Sequence, residues 1–170
     1  MELVYKWLEE QHVREFWDNS QAHRDDIKVF AEGRKVSSSY FNGIFDYWLG
    51  FVDGVPHALF LTSCYKSGEH LPELHRQYIA KDESTYGIDY CIGNISYFGT
   101  GHGSPTLLAF TDFFYKINDN VSSFLIDPDE SNPRAIHVYE KAGFKRVGLF
   151  VMEEGVFKGQ ASVLMVKSDL

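Results

Sequence analysis

The sequence predicts one α/β domain, and three observations support that prediction. Helix-like and strand-like segments alternate along the second half of the chain. A length of 170 residues suits one hydrophobic core and is short for two independent domains. Hydrophobic residues make up 44% and aromatic residues 16% of the chain, so burial can offset the entropy of folding without disulfides or metals. We therefore expect one domain over residues 1–170.

The first part of the chain is predicted to contain two helices and a β-hairpin. Apolar residues at helical spacing over residues 1–17 predict an amphipathic helix whose aromatic stripe is typical of core packing. Residues 21–36 show a weaker helical pattern. Two apolar runs within residues 45–65 flank Asp53-Gly54, a dipeptide that suits the positive φ angles of a type I′ turn. This pattern predicts the hairpin.

The remaining elements follow from periodicity and turn residues. Residues 66–86 are polar and lack clean periodicity, which predicts a long loop with room for one short helix. Beyond the loop, the pattern predicts strands at 88–95, 121–126, 144–152 and 161–166, helices at 104–117 and 132–142, and a turn at Glu153-Glu154-Gly155. The sequence contains no internal repeat, Pro-rich linker or low-complexity tract that would indicate a domain boundary.

Composition limits the partners and the compartment. Sixteen Lys and Arg against 24 Asp and Glu give a net charge of -8, which disfavours nucleic acid and favours a cationic ligand, although many acidic proteins bind none. Cys64 and Cys91 lie in alternating apolar surroundings that predict free thiols. The chain has neither a leader pattern nor an apolar run of the ~20 residues that span a membrane, so we expect a cytoplasmic protein without a membrane partner.

A glycine-rich segment between a predicted strand and a predicted helix is the first candidate site. Alternating glycines let the backbone turn tightly and bring several N–H groups close to an anion, and Pro105 suits the first helical turn. The helix dipole would favour a phosphate there, although a plain glycine-rich turn is the alternative. The spacing matches neither the dinucleotide fingerprint nor a P-loop. The segment comprises Phe98, Gly99, Thr100, Gly101, His102, Gly103 and Ser104.

The predicted helix at 132–142 is the second candidate. Asn132 suits its N-cap, Pro133 its first position and Gly143 a left-handed stop. Tyr139 projects from the face that carries small residues. Taken alone, a tyrosine in this position is typical of an ordinary half-buried side chain.

Read together, the two segments resemble the GNAT acetyltransferase superfamily. A glycine loop opens one helix, a strand follows, and the next helix carries Asn-x-Arg-Ala and then Tyr-Glu-Lys-x-Gly-Phe. The resemblance covers residues 87–170 well and the first half loosely, and it implies a central mixed, mostly antiparallel sheet, splayed in the middle, with helices on both faces. Gly87-Ile88-Asp89 and the segment His12 to Trp17 are most similar to the aminoglycoside 6′-N-acetyltransferase branch.

The resemblance also implies roles for individual residues. The glycine loop would bind the pyrophosphate of acetyl-CoA, or of another acyl-CoA, as co-substrate. Asn132, with Arg134 and Ala135 beside it, would contact the pantetheine or phosphate arm, and Tyr139 would protonate the departing thiolate. The pantetheine arm would enter a gap between two splayed strands. Phe98 replaces the Arg or Gln of many members, so one phosphate contact is either missing or made by the backbone.

The acceptor side is predicted from carboxylates. Asp89 is the candidate for binding and deprotonating an ammonium group, and the alternative is a strand-end carboxylate that caps a turn. Glu73, Asp82 and Glu83 are predicted to line an acidic substrate mouth, although charges in loops are usually only solvated.

These features predict acetyl transfer to a primary amine of a small cationic substrate, such as an aminoglycoside 6′-amine. Two alternatives stay open: acylation of a siderophore hydroxylamine or another metabolite, and a non-catalytic acyl-CoA sensor. We expect no metal, since the spacing of His70 and His75 matches no metal motif. The chain is expected to be a monomer or a homodimer. GNAT domains usually begin with a strand, so here that strand is either very short or absent from the sheet edge.

Overall fold

The computed structural model describes residues 1–66, 71–153 and 155–168. The helices are α1 (Glu2–Glu9), α2 (Gln11–Arg14), α3 (Gln21–Ala31), α4 (Glu73–Arg76), α5 (Gly103–Ile117) and α6 (Pro133–Lys141). The strands are β1 (Asp46–Val52), β2 (Val55–Cys64), β3 (Thr85–Ile92), β4 (Ser123–Ile126), β5 (Lys145–Val151) and β6 (Ala161–Ser168). They form one sheet in the order β1-β2-β3-β4-β6-β5, in which only β3 and β4 are parallel.

The sheet opens between β3 and β4. These strands pair only from Thr85 opposite Ser123 to Gly87 opposite Leu125. Strand β3 then continues to Ile92 with β2 alone as its partner, and β4 ends before Asp127-Pro128, where proline has no N–H for a ladder bond. The splayed, mostly antiparallel sheet that the resemblance implied is therefore confirmed.

Helices cover both faces of the sheet because side chains alternate along the strands. Ala58 and Phe60 of β2 join the cluster under α5 and α6, where the Phe60 ring stacks on Phe110 with centroids 4.0 Å apart. Their neighbours Leu59 and Leu61 face the opposite way and pack against α1, α2 and α3. The two faces thus form separate apolar clusters, and the sheet between them carries the site.

Several predicted elements are confirmed, with end points shifted by a few residues. The hairpin turns at Asp53 and Gly54, whose φ angles of 50° and 77° are left-handed, as a type I′ turn requires. The second helix ends at Ala31, before Gly33 with φ 87°, and is shorter than predicted. The long loop does contain a short helix, α4. Residues 67–70 of that loop and Glu154 of the predicted final turn lie outside the described residues.

Two predictions were wrong in part. The first helix, predicted over residues 1–17, is divided at Glu10, whose φ of -63° and ψ of 135° are extended. The strand predicted at 88–95 instead spans Thr85–Ile92, and Ile95–Tyr97 form a 3-10 turn. Within the described part of the chain no strand precedes α1, and β1 forms the edge of the sheet. No helix in that part is long and apolar enough to cross a membrane.

Candidate active site

A cleft of about 1370 Å³ opens where β3 and β4 separate. Its walls come from the α1–α2 turn, the C-terminal half of β3, the glycine loop, the segment between β4 and α6, and the turn between β5 and β6. A splay in a sheet leaves backbone and side chains of the two diverging strands accessible, so a cleft forms there without an insertion in the chain. The cleft contains most of the candidate residues.

The glycine loop has the geometry of an anion cradle. Gly99 and Gly101 have φ angles of 75° and 88°, which favour glycine, and nothing lies within 4 Å of a Cβ built on either residue. Gly103 serves another purpose, because a Cβ there would lie 3.1 Å from the Val138 side chain, so glycine lets α5 approach α6. Gly99, Gly101, Gly103 and Ser104 line the cleft at the N-terminus of the 15-residue helix α5, where N–H groups and the helix dipole favour a phosphate.

Two residues of the loop do not line the cleft. The Thr100 hydroxyl donates to the Tyr97 carbonyl at 2.7 Å and lies 2.8 Å from His102 Nδ1. The His102 ring packs edge-on against Tyr97, with centroids 5.1 Å apart. Their side chains therefore fix the shape of the loop, and contact with a cofactor through them is not supported by the geometry of the cleft.

Phe98 contacts two other residues that line the cleft, His12 and Arg134. The His12 ring lies 4.3 Å from the Phe98 ring, and the Arg134 guanidinium lies 4.5 Å from its centroid on a cation–π contact. His12 is held in turn by a 2.8 Å contact of its Nε2 with the Ile92 carbonyl. An aromatic ring at position 98 thus joins α2, the glycine loop and α6, where Arg or Gln would contribute a polar group.

Helix α6 presents its N-terminal turn and Tyr139 to the cleft. The Asn132 side chain accepts a hydrogen bond from the Ala135 N–H at 3.1 Å, which confirms the predicted N-cap. Asn132, Arg134 and Ala135 all line the cleft. Tyr139 is 7% exposed, and its hydroxyl donates to the Tyr90 carbonyl at 3.3 Å. Burial raises the pKa of Tyr139 well above its usual value, so the phenol keeps its proton.

Asp89 faces a second carboxyl across the splay. The last β3–β4 pair is Gly87 with Leu125, so Asp89 and Asp127, each two residues further on, lie on the same face of the diverging strands. Burial and, to a smaller degree, the charge of Asp127 raise the pKa of Asp89 to about 7. Asp89 lies within β3 opposite Leu61, so it caps no turn.

The three loop carboxylates are not at the cleft, which corrects the prediction of an acidic mouth built from them. Asp82 accepts hydrogen bonds from the Ser84 N–H at 3.3 Å and the Ser84 hydroxyl at 2.6 Å, and these bonds lower its pKa. Glu83 occupies an exposed left-handed turn position with φ 59°, and Glu73 is exposed in the first turn of α4. None of the three lines the cleft.

Other residues supply the acidic surface, and sequence reasoning missed them. Asp127 follows β4 in an Ile-Asp pair that repeats the Ile-Asp pair of β3, a similarity that could have identified it. Glu10 and Glu15 line the cleft from the α1–α2 segment, and the break at Glu10 turns this segment toward the cleft. From the long loop, His75 comes near Asp127 without lining the cleft, with Nε2 3.8 Å from Asp127 Oδ2. Across the described ranges, no group of three or more His, Cys, Asp or Glu side chains forms a metal site.

Comparison with known proteins places this geometry among acetyltransferases. Residues 1–152 match the family model for an acetyltransferase (GNAT) domain. The aminoglycoside N(6′)-acetyltransferase type 1 of Klebsiella pneumoniae is 28% identical over 154 residues, which cover 90% of this chain and 73% of the relative. A kanamycin resistance protein of Rhizobium radiobacter is 36% identical over 74 residues, 44% of this chain and 68% of that protein.

Solved structures agree with the sequence relatives. The aminoglycoside acetyltransferase AAC(6′)-Ib in complex with coenzyme A and kanamycin superposes with a TM-score of 0.74 at 26% identity, over 98% of this chain and 88% of that one. The same enzyme with paromomycin and acetyl-CoA gives a TM-score of 0.74 at 25% identity, over 98% and 86% of the two chains.

Proposed function

Because the chain belongs to the GNAT acetyltransferase family, we propose that it acetylates the 6′-amine of an aminoglycoside, or of a polycation of that class, with acetyl-CoA as the donor. Membership of the family makes the chain an acyltransferase. The observation that carries the acceptor assignment is the pair of carboxyls, Asp89 and Asp127, at the opening of the sheet that also contains Tyr139. A cationic amine is the group that such a pair binds best.

The residues present fit acetyl-CoA. Gly99, Gly101 and Gly103 would hold the pyrophosphate through backbone N–H groups, and Asn132 would contact the pantetheine arm. The arm would lie in the gap beside β3, where the strand has lost β4 as its partner. Bound in this way, acetyl-CoA supplies an activated acetyl thioester.

The chain's own residues then handle the protons. Asp89 and Asp127 bind the acceptor ammonium, and Asp89, with a pKa of about 7, accepts one of its protons. The free amine attacks the thioester carbonyl, an N–C bond forms and the C–S bond breaks. Tyr139 donates its phenolic proton to the departing sulfur. The Tyr139 phenolate then takes a proton from the nitrogen of the new amide. The reaction therefore releases one proton overall, which Asp89 takes from the ammonium and returns to solvent.

The charges of the cleft favour an acceptor with several amines. Five carboxyl side chains line it, those of Glu10, Glu15, Asp89, Asp127 and Asp129. They attract a polycation. Arg134 and Lys141 of α6 line the same cleft and can contact an anionic cofactor.

The test is acetyl-CoA-dependent thiol release with product masses, using aminoglycosides that carry either a 6′-amine or a 6′-hydroxyl. Spermidine and hydroxylamine-bearing siderophore precursors complete the panel. We expect acetylation only of the compounds with the 6′-amine. Preference for a hydroxylamine and a longer acyl-CoA would instead support the siderophore alternative. Tight binding of acetyl-CoA with no transfer to any acceptor would support the sensor.

A further inference from the structure

His57 is the extra residue of a β-bulge near the start of β2. Strand β1 pairs with Pro56 and with Ala58 of β2, but not with His57 between them. Strict alternation would place His57 on the face of Leu59, yet its imidazole contacts α5, which covers the face of Ala58. A bulge changes the direction of a side chain in this way. The bulge therefore directs His57 toward the first turn of α5.

The imidazole of His57 is buried against that turn. His57 is 1% exposed, and its Nε2 lies 2.9 Å from the Thr106 hydroxyl oxygen. Either tautomer of the ring can make this hydrogen bond, because a hydroxyl both donates and accepts. Burial lowers the pKa of His57, so the ring is neutral near pH 7 and the bond joins two neutral groups. The Thr106 N–H donates to the His102 carbonyl at 3.0 Å, so Thr106 belongs to the turn in which the glycine loop ends.

The backbone of His57 holds the other end of the same segment. Its carbonyl accepts hydrogen bonds from the N–H groups of Gly93 and Asn94 at 2.9 and 3.1 Å. Between the two ends, the centroid of the His57 ring lies 5.2 Å from that of Tyr97, which lines the cleft. One residue of β2 thus contacts the start, the middle and the end of the segment 93–106, which contains the glycine loop.

The glycine loop has little packing of its own. No described atom lies within 4 Å of a Cβ built on Gly99 or Gly101, so side-chain packing does not restrain these two residues. Thr100 makes its side-chain hydrogen bonds within the loop, whereas His57 connects the loop to the sheet. Glycine adopts many backbone conformations, and a site formed by N–H groups loses affinity when those groups must be ordered on binding. A contact that orders the loop beforehand therefore favours binding.

We propose that His57 is a positioning residue of the donor site, and that its hydrogen bond to Thr106 keeps the glycine loop in the shape that binds the pyrophosphate of acetyl-CoA. This inference rests on the proposed function for its donor and requires no particular acceptor. His57 does not line the cleft, so it touches neither acetyl-CoA nor the acceptor. Its effect passes through Thr106 and the loop.

The binding test measures the Kd for coenzyme A by calorimetry. His57→Leu removes the polar atom at Nε2, Thr106→Val removes the hydroxyl and keeps the shape of the side chain, and His57→Gln keeps a polar group that can reach Thr106. We expect His57→Leu and Thr106→Val each to raise the Kd about fivefold, the loss typical of one neutral hydrogen bond. The double variant should also lose about fivefold, because both changes break the same bond. His57→Gln should stay within about twofold of wild type.

Thr62→Val is the matched control. Thr62 lies on the same strand, is 2% exposed and accepts a hydrogen bond from Trp48 Nε1 at 3.0 Å, so this substitution removes a buried hydroxyl outside the segment 93–106. We expect it to lower Tm about as much as Thr106→Val does and to leave the Kd for coenzyme A unchanged.

Three results would overturn the proposal. The first is an unchanged Kd in Thr106→Val. The second is a double variant in which the two losses multiply to about 25-fold, because independent effects would then be at work. The third is a rise of the Kd in Thr62→Val equal to that in Thr106→Val, because loss of stability alone would then explain the weaker binding.

A second measurement follows hydrogen exchange without coenzyme A. The N–H groups of Tyr97 and Phe98 donate to backbone carbonyls within the segment 93–106, at 3.0 and 3.1 Å. We expect both amides to exchange faster in Thr106→Val than in wild type, and at the wild-type rate in Thr62→Val. Unchanged exchange in Thr106→Val would refute the positioning role.

Neither measurement needs an acceptor. The expected affinities and exchange rates in a chain that acetylates no amine would support the role of His57 and refute only the proposed acceptor. A wild-type chain that binds no coenzyme A would refute the role of His57 and the proposed donor together.

Discussion

Asp127→Asn tests the chemistry of the acceptor site most directly. The pKa of Asp89 is raised from 3.8 to about 7, first by burial and second by the negative charge of Asp127. Removing its charge makes Asp89 easier to deprotonate, so the rise of kcat/KM with pH should move toward lower pH by about one unit. The same change removes half of the cation site, so the KM for the acceptor should increase.

The assay is the pH dependence of kcat/KM for the acceptor, at saturating acetyl-CoA, in wild type and Asp127→Asn. Asp129→Asn is the matched control, because Asp129 also lines the cleft but accepts hydrogen bonds from the Ser131 N–H at 2.7 Å and the Ser131 hydroxyl at 2.5 Å. We expect its profile to keep the wild-type midpoint. A midpoint that stays in place in Asp127→Asn, or moves to higher pH, would refute the assignment of Asp89 as the base raised by Asp127.

Three further variants, with one control, separate the donor side from the chemistry. Tyr139→Phe should lower kcat by about 10²-fold, the usual contribution of a positioned acid, and leave the KM for acetyl-CoA unchanged; unchanged kcat would remove Tyr139 from the mechanism. Phe98→Ala breaks the stack with His12 and Arg134 and should weaken acetyl-CoA binding in calorimetry, with no change in the pH profile. Gly101→Ala strains a residue at φ 88° by about 1 kcal/mol and should lower both Tm and acetyl-CoA affinity. Gly33→Ala, at φ 87° in an open position, should lower Tm alone. Equal loss of affinity in both glycine variants would contradict the cradle.

Features that depend on local chemistry were predictable from the sequence. The hairpin follows from Asp53-Gly54 and the limits of α6 from Asn132 and Gly143, because each of these residues acts on backbone within a few positions of itself. The glycine loop belongs to the same class, since its φ angles restrict the residue type regardless of the rest of the fold. These are the parts of the chain where the predicted and observed structures coincide within a few residues.

Features that depend on distant contacts were not predictable in the same way. The end of β3 is set by Gly93, where a Cβ would lie 2.2 Å from Trp7 Cδ2 and where the N–H donates to the His57 carbonyl. The break at Glu10 lets α2 place His12 on Phe98, a contact that no helical pattern contains. The periodicity of apolar residues indicates which face of a helix or strand is buried, but it does not indicate which residues of other elements that face contacts.

The acceptor side was the least predictable for a related reason. Pairing Asp89 with Asp127 requires the parallel register of β3 and β4, which are joined by residues 93–122. The charges in the long loop suggested an acidic mouth, yet their orientation depends on turns such as that of Asp82 with Ser84. His75 was considered only as a metal ligand, because its relation to Asp127 exists only after α4 packs on β5.

The opening of the sheet would place the proposed donor and acceptor sites side by side. Beyond Gly87, β3 has no strand on the side of β4, and side chains contact two of its carbonyls: the Tyr139 hydroxyl donates to Tyr90, and His12 Nε2 contacts Ile92. These contacts satisfy part of the strand edge without closing the gap, as buried backbone groups require. Tyr139, the proposed acid, and His12, which contacts Phe98, thus occupy the edge of β3 that β4 leaves open, and Asp89 lies on the same stretch of β3. A substitution that let β4 extend along β3 would therefore remove both binding sites together.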